Sequence, residues 1–344
     1  MNALRGLLLP FSPLYGAVVT AKRKMYERGW LKRNRLMPPV ISVGSVSAGG
    51  AGKTPVVAML AEILDRRGYA VSILTRGYGR VSNMVGRVEP YDDPLWHGDE
   101  PVMLARKTGV PVFAGVERYR AGLLAEQARE SARTGVHLLD DGFQHLRLAR
   151  DIDIVLLTLE DVQDLLLPAG NLREPLRAVS DASIVVVREE EAVQLKNILD
   201  RLQPKNRRFE IWFIRRSLSL PESGEPLPTL PLAFCGIARP DNFIRMLKRA
   251  RYEPLETVIF PDHHRYGESD IQRLLETARQ RQANGFVTTE KDAVKLTPEM
   301  RTRLEAVGPL IVAPLKAELL DERSAMEQLV NLAPALDRRK RERS

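Results

Sequence analysis

Eight consecutive residues, Ser47-Ala48-Gly49-Gly50-Ala51-Gly52-Lys53-Thr54, carry the clearest chemistry in the chain. The glycines let backbone N–H groups turn inward around an anion, and a helix starting at their end adds the partial positive charge of its N-terminus. A short β-rich run, Pro39-Val40-Ile41-Ser42-Val43, precedes them, and a helical run from Pro55 to about Arg67 follows. Strand, glycine-rich turn, Lys-Thr and helix is the context that makes a phosphate-binding P-loop credible. In that reading Lys53 reaches the β- and γ-phosphates of a nucleotide, and Thr54 offers its hydroxyl to Mg²⁺. Ser47 stands where the first glycine of the usual G-x-x-x-x-G-K-T pattern falls. The competing reading is a plain glycine-rich turn with an exposed lysine.

Other chemistry-bearing residues also follow apolar runs. Asp140-Asp141-Gly142-Phe143-Gln144-His145 sits where a P-loop enzyme holds Mg²⁺, directly or through water. An Asp-Gly turn with capping carboxylates is the alternative. Gly98-Asp99-Glu100-Pro101 opens a helix; Pro101 suits its first position, and capping by Asp99 or Glu100 is explanation enough from spacing alone. In Asp262-His263-His264, adjacent histidines on an extended chain point to opposite sides, so both cannot chelate one metal. One histidine accepting a proton beside a carboxylate is the functional reading, and a satisfied structural histidine is the alternative. Leu172-Arg173-Glu174-Pro175 either places a cation and a carboxylate at the phosphate site or forms a surface ion pair. Thr289-Glu290-Lys291-Asp292 fits a capping box. Arg118 and Arg120 are anion-binding candidates or part of a solvated face.

The elements that must position these residues read as strands alternating with helices. Strands are expected at Tyr69–Thr75, Val110–Ala114, Val136–Asp140, Ile152–Leu157 and Ala182–Val187, with helices such as Ala121–Ala132 between them. Near-continuous Val, Ile and Leu runs of this kind predict an α/β fold: a P-loop NTPase-like parallel sheet covered on both faces. Ligands in such sheets bind at the carboxyl ends of the strands, and every chemically loaded loop here follows one. Ser217 to Pro231, rich in Ser, Pro, Gly and Glu, marks a boundary. A smaller α/β domain follows, with strands at Leu232–Ile237, Thr257–Phe260 and Gly285–Thr288 and helices at Asp241–Ala250 and Ser269–Arg281. A last strand, Pro309–Leu315, is expected to pair with 209–214 as a two-stranded linker. The expected limits are 1–214 for the P-loop domain with its N-terminal helix, 215–320 for the smaller domain, and 321–344 for a returning helix and basic tail.

Composition sets the class. A chain of 344 residues, 44% hydrophobic and 28% charged, can bury a large core, and its single cysteine excludes an internal disulfide. The formal net charge of +8 suggests an anionic partner. The basic residues concentrate in Lys22–Arg35 and in the tail Arg338–Arg343 without interleaved aromatics, which argues against single-stranded nucleic acid. The N-terminal run Leu4, Leu7, Leu8, Leu9, Phe11, Leu14, Val18 is too short, and too interrupted by Pro10 and Pro13, to span a bilayer. An apolar element followed by Lys and Arg suits a monotopic anchor on an anionic surface, with an ordinary packed helix as the alternative.

Together the motifs resemble the tetraacyldisaccharide 4′-kinase family of lipid A biosynthesis. The matching pieces are the GNxTxGGTGKTP-like Gly44–Pro55, RGYG at Arg76–Gly79, GDEP at Gly98–Pro101, DDGFQH at Asp140–His145, LREP at Leu172–Pro175, DHH at Asp262–His264 and TEKDAVKL at Thr289–Leu296. Family members carry a small hydroxyl residue where Ser47 stands, and many have Pro where Asn171 stands. The resemblance implies transfer of the ATP γ-phosphate to the 4′-hydroxyl of a tetraacylated glucosamine disaccharide 1-phosphate, giving lipid IV(A). It implies an ATP cradle from Ser47 to Thr54, Mg²⁺ at Thr54, Asp140 and Glu174, and Asp141 and Lys53 at the transferring phosphoryl group. It further implies that Asp99, paired with His263, deprotonates the sugar hydroxyl, and that Arg76, Tyr78, Arg120 and Arg173 contact the substrate. A monomer held peripherally on the cytoplasmic face of the bacterial inner membrane, with no nucleic-acid partner, completes the expectation. A P-loop GTPase or metallochaperone is the alternative, but the Asn-Lys-x-Asp base reader of that class is missing. A nucleic-acid-binding ATPase would show steeply salt-dependent binding.

Overall fold

The computed structural model describes residues 3–129, 133–204, 208–220 and 227–336. Its strands are β1 Val40–Ser45, β2 Ala70–Thr75, β3 Gly86–Val88, β4 Val112–Ala114, β5 Gly135–Asp140, β6 Ile152–Leu157, β7 Ile184–Arg188, β8 Glu210–Leu218, β9 Pro231–Cys235, β10 Glu256–Ile259, β11 Gly285–Thr289, β12 Leu310–Ala313 and β13 Leu315–Leu319. They form a nine-stranded sheet, ordered β13-β8-β7-β6-β1-β5-β2-β4-β3, and a four-stranded sheet, ordered β10-β9-β11-β12.

The apolar runs dictate this arrangement. Every residue of β1, β5 and β7 is buried, as a strand covered on both faces requires. From β8 through β4 all neighbours pair in parallel, whereas the edge strands β3 and β13 pair antiparallel. The large sheet is therefore mixed at its two edges rather than wholly parallel. The Lys53–Arg66 helix covers one face through Val56, Val57, Leu60 and Leu64. The Glu322–Leu332 helix joins the same core through Ala325, Met326 and Leu329, so the chain returns to the large sheet. Phe143, Val155, Val185 and Leu195 build the core on the opposite face. In the small sheet Leu232 and Phe234 face one layer while Ala233 and Cys235 face the other, the alternation of a strand covered on both sides. Burial pushes the Cys235 thiol up to about 12, so it is a packing residue.

The expected linker strand Pro309–Leu315 is divided. Leu310–Ala313 pairs with β11 in the small sheet, and Leu315–Leu319 pairs with β8 in the large one, Leu315 opposite Leu218 and Leu319 opposite Ile214. Pro314 falls at the division; it has no N–H to continue a ladder, and its carbonyl accepts from Ser219 N–H. The helix expected at Ala121–Ala132 runs from Arg118 to Gln127, with 130–132 outside the described residues. Part of the Ser217–Pro231 boundary, residues 221–226, and the basic tail from 337 onward also lie outside them.

Candidate active site

Strand order places the chemistry. β1 and β5 are parallel neighbours with Val43 opposite Asp140, so the glycine-rich loop after β1 and the Asp-Asp pair ending β5 emerge side by side. Gly49, Gly50 and Gly52 have φ of +69°, +67° and +90°, a region that costs glycine little and most residues much. Gly52 precedes the Lys53–Arg66 helix, which aims its N-terminus into the loop. The Ser47 and Ala51 side chains are buried behind it, and only the backbone there frames the loop. Lys53 reaches back across the turn, its Nζ 3.3 Å from Ser45 Oγ and 3.3 Å from Asp141 Oδ1.

Asp140 and Asp141 are adjacent and electrostatically opposite. Asp140 is enclosed; Thr75 Oγ1 donates to its Oδ2 at 3.2 Å, and its Oδ1 has no hydrogen-bond partner. Burial first, then Glu100 and Asp141, push its carboxyl up to about 7 against the pull of Lys53. Asp141 sits at φ +50° and receives both Arg173 guanidinium nitrogens, at 2.9 and 2.7 Å. Burial raises its pKa too, but Lys53 and Arg173 more than offset that and hold it well below the usual carboxylate range. Arg173 also donates to the Ser47 carbonyl at 2.9 Å and so clasps the phosphate loop. A backbone outlier such as Asp141 persists only where its surroundings hold it, and such residues cluster at functional sites.

The orphaned Asp140 oxygen fits a hard cation. Among the described residues no group of three or more His, Cys, Asp or Glu converges on one metal position. Mg²⁺ needs no such group where phosphate oxygens and water complete its shell around one or two carboxylates. Thr54, on the cleft wall, supplies a neutral oxygen. Glu174, the third residue expected at the metal, is not among the cleft-lining residues. It is 2% exposed and held by Arg23 of the Ser12–Glu27 helix, Nε to Oε2 at 2.8 Å and Nη2 to Oε1 at 2.6 Å, with Gln144 Nε2 at 3.2 Å. Glu174, expected to hold the metal, here directs its oxygens to a buried ion pair behind the loop.

The opposite wall comes from the part of the chain that forms the four-stranded sheet. His263, at φ +58°, places Nδ1 3.0 Å from Asp99 Oδ2, across the cleft on the side of the nine-stranded sheet. Asp99 does not cap its helix in the usual way. Gly98 is the N-cap residue, Asp99 Oδ1 accepts the neighbouring Glu100 N–H at 2.9 Å, and the other oxygen goes to the histidine. Lys291 completes the cluster, with Nζ 3.1 Å from His263 Nε2, 3.1 Å from Asp262 Oδ1 and 3.3 Å from Glu100 Oε1. Burial opposes a charged His263, but the hydrogen bond and charge of Asp99 outweigh it, and its pKa is raised. Burial likewise opposes ionised Asp99, yet His263 and Lys291 lower its pKa. His264 is elsewhere: Nε2 lies 2.9 Å from Asp270 Oδ2 and the ring stacks on Phe260. Of the two adjacent histidines, His263 is the one that meets Asp99. The Thr289 hydroxyl accepts Asp292 N–H, the N-cap half of the expected capping box, while Asp292 Oδ2 accepts from Gly236 N–H and Thr289 Oγ1.

A cleft of about 700 Å³ joins these walls, within the range of small-molecule sites. Lys53, Thr54, Asp140, Asp141 and Arg173 line one side, and Arg76, Tyr78 and His263 another. Tyr78 packs 4.9 Å from the His263 ring. Arg120, also expected to contact the substrate, does not line this cleft: its side chain is 71% exposed and paired with Glu117. Its neighbour Arg118 is buried instead, its Nε lacks a hydrogen-bond partner, and burial with the nearby Arg76 lowers its pKa to about 10. The residues that sequence reasoning missed are Arg216, Arg239 and Lys291, all on the cleft wall. Arg239 follows a buried strand and precedes a proline-led helix, the same strand-end signal that marked the other loops.

The Ser12–Glu27 helix lies behind this apparatus. Ser12 Oγ donates to the Leu166 carbonyl at 2.8 Å and Tyr15 Oη to the Arg173 carbonyl at 3.0 Å. Its outer face leaves Leu14 and Val18 exposed, continuing Leu7 and Phe11 at spacings of four, three and four residues, one helical stripe. No helix among the described residues is long and apolar enough to cross a membrane.

Known proteins match this chain over most of its length. Residues 4–333 match the family described as tetraacyldisaccharide-1-P 4′-kinase. The tetraacyldisaccharide 4′-kinase of Koribacter versatilis is 39% identical over 330 residues, covering 94% of this chain and 98% of that protein. The protein of the same description from Geobacter metallireducens is 36% identical over 331 residues, covering 92% and 94%. A crystal structure described as the LpxK of Aquifex aeolicus in complex with ATP superposes with a TM-score of 0.72 at 31% identity, covering 96% of this chain and 99% of that one. The chain belongs to the tetraacyldisaccharide 4′-kinase family of lipid A biosynthesis.

Proposed function

We propose that this chain transfers the γ-phosphate of ATP to the 4′-hydroxyl of tetraacyldisaccharide 1-phosphate, yielding lipid IV(A), with the two walls of the cleft holding the two substrates. The observation that carries the reading is the Asp99–His263 contact, a base-like pair whose histidine lines the same cleft as the phosphate loop. Backbone N–H groups from Ala48 to Thr54 and the Lys53 ammonium hold the phosphate chain. Lys53 leaves its present partner Asp141 for phosphate oxygens. Asp140 and Thr54 are the residues that would hold Mg²⁺, which when bound neutralises charge on the β- and γ-oxygens. Arg173 keeps Asp141 and the loop in register.

The dyad acts on the acceptor. A sugar hydroxyl is a weak nucleophile at neutral pH, so a positioned base helps. The Asp99–His263 pair takes the hydroxyl proton as the oxygen bonds to the γ-phosphorus, and ADP leaves with the electrons of the broken P–O bond. Lys291 holds the pair in place and limits how readily it protonates. Arg76 and Tyr78, on the cleft wall, contact the disaccharide phosphate and sugar. Because the walls come from different domains, closing them excludes water before transfer. Most of the acceleration comes from positioning and fixed charge.

The exposed stripe Leu7, Phe11, Leu14, Val18, followed by exposed Lys22, Lys24, Arg28, Lys32 and Arg35, supports peripheral attachment to the anionic cytoplasmic face of the inner membrane. A monomer suffices, since both walls come from one chain. The decisive experiment is transfer of labelled phosphate from ATP to the tetraacyldisaccharide 1-phosphate; lack of a 4′-phosphorylated product would end the reading.

A further inference from the structure

Arg239 reaches the phosphate loop from the other domain. It precedes the Pro240–Arg249 helix, and its side chain lies across Gly50. A Cβ on Gly50 would fall 2.6 Å from Arg239 Nε, 2.7 Å from Cδ and 2.8 Å from Cγ. Its facing carboxylates are distant for charge-assisted bonds: Glu160 Oε2 is 3.4 Å from Nη1 and Asp161 Oδ1 is 3.7 Å from Nη2. Nη1 is buried and makes no hydrogen bond. Arg216 of β8 stands beside it, Nη1 3.7 Å from where a Gly52 Cβ would be, its Nε also buried and unbonded. Both line the cleft. The loop's other cations, Lys53 and Arg173, are already engaged with Asp141.

We propose that Arg239 is a phosphate-contacting arginine, carried to the γ-phosphoryl group of ATP by the second domain. The inference rests on the ATP reading of the loop given above. A guanidinium presents a planar fork that matches phosphate oxygens, stays protonated throughout and gives no proton to the reaction. An arginine brought against a P-loop stabilises the charge that spreads over the phosphoryl oxygens as they transfer. Its place on the smaller domain ties that stabilisation to domain closure. The alternative is a tether, in which Arg239 only pins the two domains through Glu160 and Asp161.

The test measures MgATP and MgADP affinity by titration calorimetry, together with turnover, on the full-length chain. Losing a charge-assisted contact to the terminal phosphate should weaken MgATP binding roughly 10–100-fold in Arg239→Ala while MgADP changes by less than about 3-fold. Turnover should fall by about 10³-fold or more. Arg239→Lys should recover affinity but not turnover, because an ammonium lacks the fork. Glu160→Gln, which frees the arginine, should leave MgATP affinity intact. Equal losses for ATP and ADP, or a Glu160→Gln variant that reproduces the Arg239→Ala defect, would overturn the proposal in favour of the tether. Lys53→Ala separates the two levels: if it binds MgATP normally, the ATP reading of the loop fails; if it does not while Arg239→Ala does, only this inference fails.

Discussion

Replacing Asp99 with Asn removes one charge from the cleft wall and almost no volume. Asp99 is 6% exposed, and its two oxygens meet His263 Nδ1 at 3.0 Å and Glu100 N–H at 2.9 Å. An amide keeps the shape and can still accept from Glu100, but it cannot stabilise a protonated imidazole. A positioned general base is worth roughly 10²–10⁴ in rate, or about 2.7–5.4 kcal/mol. Turnover in Asp99→Asn should fall by that range, while MgATP binding stays unchanged because Asp99 lies outside the phosphate loop. The pH profile gives an independent readout. Burial pulls the His263 pKa down, but the hydrogen bond and charge of Asp99 raise it above its ordinary value. The dyad accepts a proton only when His263 is neutral, so wild-type turnover rises as pH rises through that elevated pKa. In Asp99→Asn the hydrogen bond and charge of Asp99, the largest raising contributions, vanish while burial, Lys291 and the smaller pull of Asp262 remain, so the acidic limb moves to lower pH. The assay is initial-rate transfer from labelled ATP to the disaccharide 1-phosphate across the neutral range. His263→Ala should lose as much, and the double variant little more, because residues acting as a unit are non-additive. Full turnover in Asp99→Asn, an unmoved acidic limb, or multiplied losses in the double variant would refute the shared base.

Three further outcomes follow. Lys53→Ala should lose nearly all turnover and MgATP affinity with an unchanged circular dichroism spectrum; normal affinity would remove the loop from the mechanism. Arg23→Met strands the buried Glu174 carboxylate and should destabilise the chain by about 3–5 kcal/mol in denaturant melts; replacing Glu174 with Leu as well should restore most of it, and a wild-type melt for the single variant would show the pair to be dispensable. Serine at Leu7, Phe11, Leu14 and Val18 should abolish co-sedimentation with anionic vesicles, whereas high salt on the native chain should only weaken it, since salt screens the Lys and Arg contribution and leaves apolar burial intact; a native chain that never sediments with vesicles would sink the membrane reading.

The sequence alone determined the local chemistry. Glycines at 49, 50 and 52 next to Lys53 and Thr54 dictate a phosphate loop, because few other residues take the required backbone turn. Unbroken apolar runs dictate buried strands, and buried parallel strands dictate a site at their carboxyl ends. Those are short-range requirements, and residue types within a few positions satisfy them. Partner choice across the chain was decided only by the tertiary structure. Glu174 and Arg173 are consecutive, yet one is neutralised by Arg23 behind the loop and the other faces Asp141 in front of it. His263 and His264 are also consecutive, but a left-handed turn sends one to Asp99 and leaves the other with Asp270. Arg120 is solvated while Arg118 is buried, because the helix they share presents one face to the sheet and the other to water. Residue type does not distinguish the two histidines or the two arginines, and opposite charge alone does not say which partner Arg173 and Glu174 each meet. Their roles depend on contacts between positions as far apart in the chain as 99 and 263, which exist only once both sheets have formed and face each other across the cleft.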